Sequence, residues 1–380
     1  MTIHVMKPDL GSEEAEAAAA AVASGWVAQG PRVAAFEEAF AASIGVAHGV
    51  AVSSCTTALH LALVVADVGP GDEVIVPSLS FIATANAARY VGATPVFADV
   101  DPTTLNLTPE TIEPLLSERT KAVIAVDQAG IPADIDAIRA LCDPRGVTVV
   151  EDAACAAGAT YHGAPAGRAA LLSAYSFHPR KLLTTGEGGM IVTDDDALAA
   201  RARRLREHGM SVSAADRHAS GGVVLEQYLE TGFNFRMTDI QAAVGLVQLQ
   251  RLPAMVAGRR EQAARYRALL ADLPGIITNR DPAHGTSNYQ SFWVLLPEGC
   301  PVSRNEVMQA LVAEDISPRR GIMASHLEPA YADEPHIPLP VTERITNDSL
   351  ILPLHHEVTA EDQERIVSVL ASALEAGVPG

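Results

Sequence analysis

The sequence predicts an α/β fold: a doubly wound, mainly parallel sheet, with a smaller C-terminal α+β domain. Three observations predict it. Strand-like apolar runs alternate with helical patterns as far as about residue 210, the pattern of parallel strands joined by crossover helices. The composition is aliphatic, 48% hydrophobic with only 4% aromatic residues, as in a helix-rich α/β chain. A long helical stretch then begins at Thr238 and leads to a second, shorter set of elements. At 380 residues the chain is long enough for one or two domains. The expected division is 1–245 for the large domain and 246–380 for the small one.

Taken in order, helical periodicity covers residues 13–24, which are Ala-rich, and residues 33–43. Val50-Ala51-Val52 reads as a strand, Ser53-Ser54-Cys55-Thr56-Thr57 as a hydroxyl-rich turn, and Ala58 onward as a helix. Further strands are expected near Val74, at 95–98, 122–126, 147–150 and 174–177, and near Ile191, where apolar and β-branched residues cluster. Helical patterns fill 133–141 and 197–207. Residues 211–222, rich in Ser, Ala and Gly, are expected to form a mobile loop near the site. The stretch 238–270 reads as helical and broken near Pro253. The small domain is expected to hold a strand at 292–296 and helices at 303–314 and 359–374. Thr359 and Asp362 form a near capping box for the last helix.

Charge and cysteine usage narrow the function. Lys and Arg number 27 against 46 Asp and Glu, a net charge of −19, which argues against nucleic acid or an anionic membrane as partner. Cys55, Cys142, Cys155 and Cys300 show no C-x-x-C spacing, so neither a disulfide framework nor a metal site is suggested. With no signal-like N-terminus and no run of about 20 apolar residues, the chain reads as cytoplasmic.

The most informative stretch is Ser176-Phe177-His178-Pro179-Arg180-Lys181, followed by a Gly-rich segment and the strand-like Met190-Ile191-Val192-Thr193. A lysine between two buried strands is costly to desolvate. Its use is as an amine nucleophile or general base, with a pKa expected to be lowered by burial. Upstream, Val147-Thr148-Val149-Val150 ends in Glu151-Asp152, placing a carboxylate at the end of a buried strand, where α/β sheets bind ligands. The turn at residues 53–57 opens a helix with backbone N–H groups and hydroxyls, an anion cradle that lacks the G-x-x-x-x-G-K of a triphosphate loop. A phosphate cradle, a strand-end aspartate and a strand-end lysine together suit pyridoxal phosphate. That cofactor needs its phosphate anchored, its ring nitrogen kept protonated and its aldehyde held by an amine.

Six segments then carry a resemblance. Gly25-Trp26-Val27-Ala28-Gln29-Gly30-Pro31, Gly71-Asp72-Glu73-Val74-Ile75-Val76-Pro77 and Phe81-Ile82-Ala83-Thr84-Ala85-Asn86-Ala87 come first. Gly130-Ile131-Pro132-Ala133-Asp134-Ile135-Asp136, Glu151-Asp152-Ala153-Ala154 and Gly232-Phe233-Asn234-Phe235-Arg236-Met237-Thr238-Asp239-Ile240-Gln241-Ala242-Ala243 follow. In this order they resemble the DegT/StrS-type sugar-nucleotide aminotransferases, fold-type-I pyridoxal phosphate enzymes, from about residue 8 to about residue 370. The resemblance implies that Lys181 holds the cofactor's aldehyde as an imine and that Asp152 pairs with the ring nitrogen. It assigns Thr56, Thr57 and Ser176 to the phosphate and Phe81 to stacking on the ring. Asn234 would reach the phosphate of the neighbouring subunit, which implies a homodimer. His326, His355 and His356 fall in segments the family uses around the sugar, and Arg319 and Arg320 are a basic pair read from their own chemistry. The arginines are candidates for a diphosphate. Arg236 is expected to orient the Asn234 loop, and His178 to pack beside the lysine.

There are departures. Cys155 replaces the family's common Gln and is read as a small apolar residue beside the ring. Asp127 stands for a frequent His, and Cys55 for a common Gly. A dehydratase subgroup has His at the lysine position, so Lys181 favours transamination. The implied reaction moves an amino group from L-glutamate or L-glutamine to a keto-sugar, expected to be a nucleoside-diphosphate-linked keto-deoxyhexose, by ping-pong kinetics. A keto-cyclitol acceptor, or a non-enzymatic cofactor-binding regulator, is the alternative.

Overall fold

The computed structural model describes residues 2–213 and 222–375; most of the segment expected to be a mobile loop therefore lies outside the described residues. Two helices open the chain, α1 (Ser12–Ala23) and α2 (Pro31–Ile44). Proline at its first position presets α2, and Gly45 ends it in the left-handed conformation at φ 81°.

Seven strands form the large sheet. They are β1 (His48–Val52), β2 (Glu73–Pro77), β3 (Thr94–Ala98), β4 (Thr120–Val126), β5 (Thr148–Asp152), β6 (Leu172–Ser176) and β7 (Gly189–Thr193). Their spatial order is β1-β7-β6-β5-β4-β2-β3. Four neighbouring pairs are parallel, and β7 alone runs against both its neighbours. Helices α3 (Cys55–Val65), α4 (Ala83–Tyr90), α5 (Ile135–Cys142) and α6 (Asp196–Leu205) make the connections. Both faces of the sheet are covered. Leu59, Leu61 and Leu63 of α3 pack with Val50, Val74 and Ile124 on one side, and Phe36 and Phe40 of α2 with Tyr175 and Phe177 on the other.

One helix, α7 (Asp239–Leu269), then runs unbroken through Pro253, contrary to the expected break. A proline forfeits one backbone hydrogen bond. Burial of Leu252 and Val256 on either side of it, in the core that includes Phe36 and Phe40, outweighs that loss. At its start, buried Asp239 accepts N–H bonds from Gly30 and Val33 at 2.8 and 2.9 Å, so the long helix caps α2.

The second sheet is antiparallel, in the order β8 (Ile277–Thr278), β9 (Phe292–Leu295), β11 (Ser349–Leu352), β10 (Arg319–Arg320). Helices α8 (Arg304–Ala313), α9 (Pro340–Asp348) and α10 (Ala360–Glu375) complete this part. Thr359 and Asp362 exchange the two bonds of a capping box, at 3.0 and 3.1 Å. The chain's first residues join this second core, with Ile3 accepting from the N–H of Ser317 at 2.8 Å.

Candidate active site

The carboxyl ends of β1, β2, β4, β5 and β6 share one edge of the large sheet, and a cavity of about 880 Å³ opens there. The turn after β1 forms one wall. Ser54 caps α3, its hydroxyl accepting the Thr57 N–H at 3.2 Å, and the Thr57 hydroxyl donates back to the Ser54 carbonyl at 2.8 Å. Helix geometry leaves the N–H groups of Cys55 and Thr56 without an intrahelical acceptor, and Ser54, Cys55 and Thr56 line the cavity. Thr57 does not line it, because its hydroxyl is used in the capping box. Gly189 allows this turn to lie against β7: a Cβ there would stand 2.5 Å from the Ser54 carbonyl and 2.7 Å from the Cys55 nitrogen.

Asp152 ends β5 on the cavity floor, 4% exposed. Its Oδ2 accepts from the Thr84 hydroxyl at 2.9 Å and its Oδ1 from the Ala154 N–H at 3.2 Å. Burial raises its carboxyl above the usual carboxylate range, against the Thr84 bond and the Lys181 charge. Behind it lie two more buried acids. Asp127 accepts from the Ala133 N–H at 2.8 Å, while Glu151 accepts from the Gly167 N–H and the Ser173 hydroxyl at 2.9 and 3.1 Å. Burial and the Glu151 charge push Asp127 well above the carboxylate range.

Lys181 sits in the link from β6 to β7, in a turn clamped by buried Gln290. That side chain accepts from the Leu182 N–H at 3.0 Å and donates to the Arg180 carbonyl at 2.6 Å. The Lys181 amine donates to the Cys155 sulfur at 3.0 Å. The expected lowering of this lysine is reversed. Burial does oppose its charge, but Cys155, Cys55 and Asp152 outweigh burial and lift the amine above the ordinary lysine value. Phe81, 59% exposed, and buried Ser176 line the same cavity.

Of the expected substrate residues, Arg319 lines the cavity and Arg320 does not. They are successive residues of β10, so their side chains leave opposite faces. Arg320 turns outward to Glu328 at 3.3 Å. Burial, with Arg180 and Arg320 nearby, opposes the charge on Arg319. His326 is also displaced from the role expected of it. Buried, with Nδ1 2.6 Å from the Ser78 hydroxyl, it ties its segment to the end of β2 and does not reach the cavity. Asn234 is exposed, outside the cavity of its own chain, and accepts from Arg236 Nε at 3.0 Å. His178 accepts from the Arg180 N–H at 3.1 Å, its ring held neutral chiefly by burial.

Several cavity residues were not singled out from the sequence. Arg180 lines the cavity, and neither its guanidinium nor that of Arg319 has a side-chain partner among the described residues. Its place beside the lysine was the available signal. Thr84 stood within a quoted motif block, and the pattern Ser54-x-x-Thr57 already spelled a capping box. Gln290 gave no signal, since it comes from more than a hundred residues downstream.

These groups suit pyridoxal phosphate: a helix start that offers the Cys55 and Thr56 N–H groups and two hydroxyls, a buried carboxylate and a primary amine all line one cavity. Among known proteins, residues 8–371 match the model of the DegT/DnrJ/EryC1/StrS aminotransferase family. The aminotransferase TlmJ from Streptoalloteichus hindustanus is 38% identical, at TM-score 0.91 over 99% of this chain and 100% of that one. DesI, solved in the presence of its TDP-sugar product, is 36% identical, at TM-score 0.90 over 99% and 94%. PseC from Helicobacter pylori, an aminotransferase involved in the biosynthesis of pseudoaminic acid, is 28% identical, at TM-score 0.92 over 99% and 100%.

Proposed function

The chain belongs to the DegT/DnrJ/EryC1/StrS aminotransferase family, which uses pyridoxal phosphate, and from that premise we propose the substrates of this sugar aminotransferase. It moves an amino group from L-glutamate or L-glutamine to the ketone of a nucleoside-diphosphate-linked keto-deoxyhexose, in two half-reactions of ping-pong type. The observation that carries the reading is the convergence of Lys181, Asp152 and the turn at Ser54 and Thr56 on one cavity of about 880 Å³. That volume has room for a substrate beside a cofactor.

In this reading Thr56 and Ser176, with Ser54, would hold the phosphate, Phe81 would cover a ring face, and Asp152 would keep the ring nitrogen protonated. Bound there, pyridoxal phosphate supplies an electrophilic carbon and an electron-withdrawing ring. Burial disfavours a lone charge on Asp152, so a protonated ring nitrogen beside it would be the counter-charge that stabilises both. The Lys181 amine would hold the cofactor's aldehyde carbon and, when free, is the base placed to take and return a proton. Thr84 holds Asp152 in place throughout.

Arg319 and Arg180 are the groups suited to the diphosphate, both lining the cavity without a side-chain anion among the described residues. The structure of DesI with a TDP-sugar product, at 36% identity, supports a nucleotide-linked acceptor. We also propose a cytoplasmic homodimer of two-domain chains divided near residue 245, in which Asn234 of the partner subunit completes each site. Its exposure outside its own cavity and the exposed apolar residues Val223, Leu225, Tyr228 and Leu229 support this.

The test is the absorption spectrum of the protein with pyridoxal phosphate before and after L-glutamate, for wild type and Lys181→Ala. The expected result is a bound-cofactor band that glutamate shifts to the pyridoxamine form in wild type, with neither in the variant. A wild-type band unmoved by glutamate and glutamine sinks the donor assignment.

A further inference from the structure

We propose that Cys155 is the positioning residue for the Lys181 amine, its sulfur holding that amine at a fixed point of the cavity wall whenever the amine is free. The inference rests on Lys181 being the reactive amine. It departs from the apolar packing expected of Cys155, because the sulfur stands 3.0 Å from Nζ.

Both partners are held by one short segment. Asn288, fully buried, donates to the Cys155 carbonyl at 2.7 Å and to the Ala157 carbonyl at 2.8 Å. Two residues on, Gln290 clamps the lysine turn through Leu182 and Arg180. The Gln290 N–H in turn donates to the Asn288 side chain at 2.8 Å. Sulfur and amine are therefore set against each other by a single hydrogen-bonded unit. A lysine side chain is long and flexible, and holding it at a defined point removes rotamer freedom before it must act.

The contact has an electrostatic consequence. The groups that act on the amine are Cys155, Cys55 from α3 and Asp152 from β5, and it acts in turn on His178; Arg180 of the same turn lines the same cavity. Cys55 lies 4.0 Å from an Asp152 oxygen, and desolvation together with that charge pushes its thiol up. Cys155 is the sulfur in hydrogen-bond contact with Lys181, and it leads the groups that favour the ammonium. Removing it should lower the pH at which Lys181 becomes neutral and lessen the positioning of the amine together.

The experiment follows Lys181 directly in the full chain. Its rate of acylation by acetic anhydride is measured against pH by mass spectrometry, before and after pyridoxal phosphate is added, for wild type, Cys155→Ser and Cys155→Ala. Before cofactor is added, the Lys181 midpoint is expected to fall by about one pH unit in Cys155→Ala, with roughly tenfold faster acylation below the midpoint. Cys155→Ser should lie between. Reciprocally, Lys181→Met should slow alkylation of Cys155 by iodoacetamide several-fold, since the sulfur loses the amine in contact with it. That arm and the serine variant carry the test should the alanine variant not fold. Coincident midpoints in all three proteins, with alkylation unchanged, overturn the proposal. A borohydride trap after cofactor addition separates the two readings. Should Lys181 not be the residue fixed, the site assignment falls and the proposal with it. Should Lys181 be fixed and its midpoint stay put, the proposal alone falls.

Discussion

Thr84 donates its hydroxyl to Asp152 at 2.9 Å and lies 2.8 Å from the Ser80 hydroxyl, so the strand-end carboxylate is held by the first turn of the next helix over. Thr84→Val keeps the shape of the side chain and removes the donor. A buried carboxylate that loses a hydrogen bond costs on the order of 1–3 kcal/mol. Asp152 should then titrate still higher. Pyridoxal phosphate affinity is expected to drop roughly tenfold or more, measured by spectroscopic titration, while Thr84→Ser stays near wild type. Equal affinity in the valine variant would remove Thr84 from the site.

How far this arrangement could be read from sequence depends on what each residue answers to. Lys181 and Asp152 were legible because strand ends in a doubly wound sheet point into the crevice, and the apolar runs before them marked those strands. The sense of β7 was not legible, since a five-residue apolar run reads alike in either direction. Choosing between Arg319 and Arg320 needed the pleat of a two-residue strand, which is set by its pairing with Ile351 and Leu350. His326 was misplaced because a histidine looks the same whether it faces a cavity or anchors a buried serine. Pro253 shows tertiary packing overriding a local preference. The contact of Cys155 with Lys181 depends on Asn288 and Gln290, far along the chain, and no local pattern announces it.

Asp127 and Glu151 bear on stability. An acid raised in the folded chain binds an extra proton there relative to the unfolded chain. Stability is therefore lost as pH rises from the unfolded value, about 3.9 for aspartate, toward the folded one. Both acids are raised, Asp127 strongly, by burial above all. Asp127→Asn imitates the protonated form and can still accept from Ala133. Its melting temperature at pH 8 is expected to exceed wild type by roughly 2–4 °C, with the gap closing toward pH 4. Calorimetry across that range checks the prediction, and a gap that widens on acidification would contradict it.

The cationic edge gives the sharpest contrast, because neighbouring arginines are predicted to behave differently. Arg319 faces the cavity with Arg180 nearby, whereas Arg320, 53% exposed at its side chain, pairs with Glu328 on the outside. An exposed ion pair contributes at most about 1 kcal/mol, and to stability alone. A guanidinium on a diphosphate contributes a charge-assisted, bidentate contact that alanine cannot replace. Arg319→Ala is therefore expected to raise KM for a nucleotide-linked keto-sugar roughly 10- to 100-fold, or about 1.4–2.8 kcal/mol. Arg180→Ala should act in the same direction and Arg320→Ala should stay within about twofold. The glutamate half-reaction, followed alone by absorbance, should change little in Arg319→Ala, because its product carries no diphosphate. A free keto-cyclitol acceptor should be equally indifferent to the change. Equal losses in Arg319→Ala and Arg320→Ala would mean that the pair acts through the fold, and the anion would then have to be sought elsewhere in the cavity.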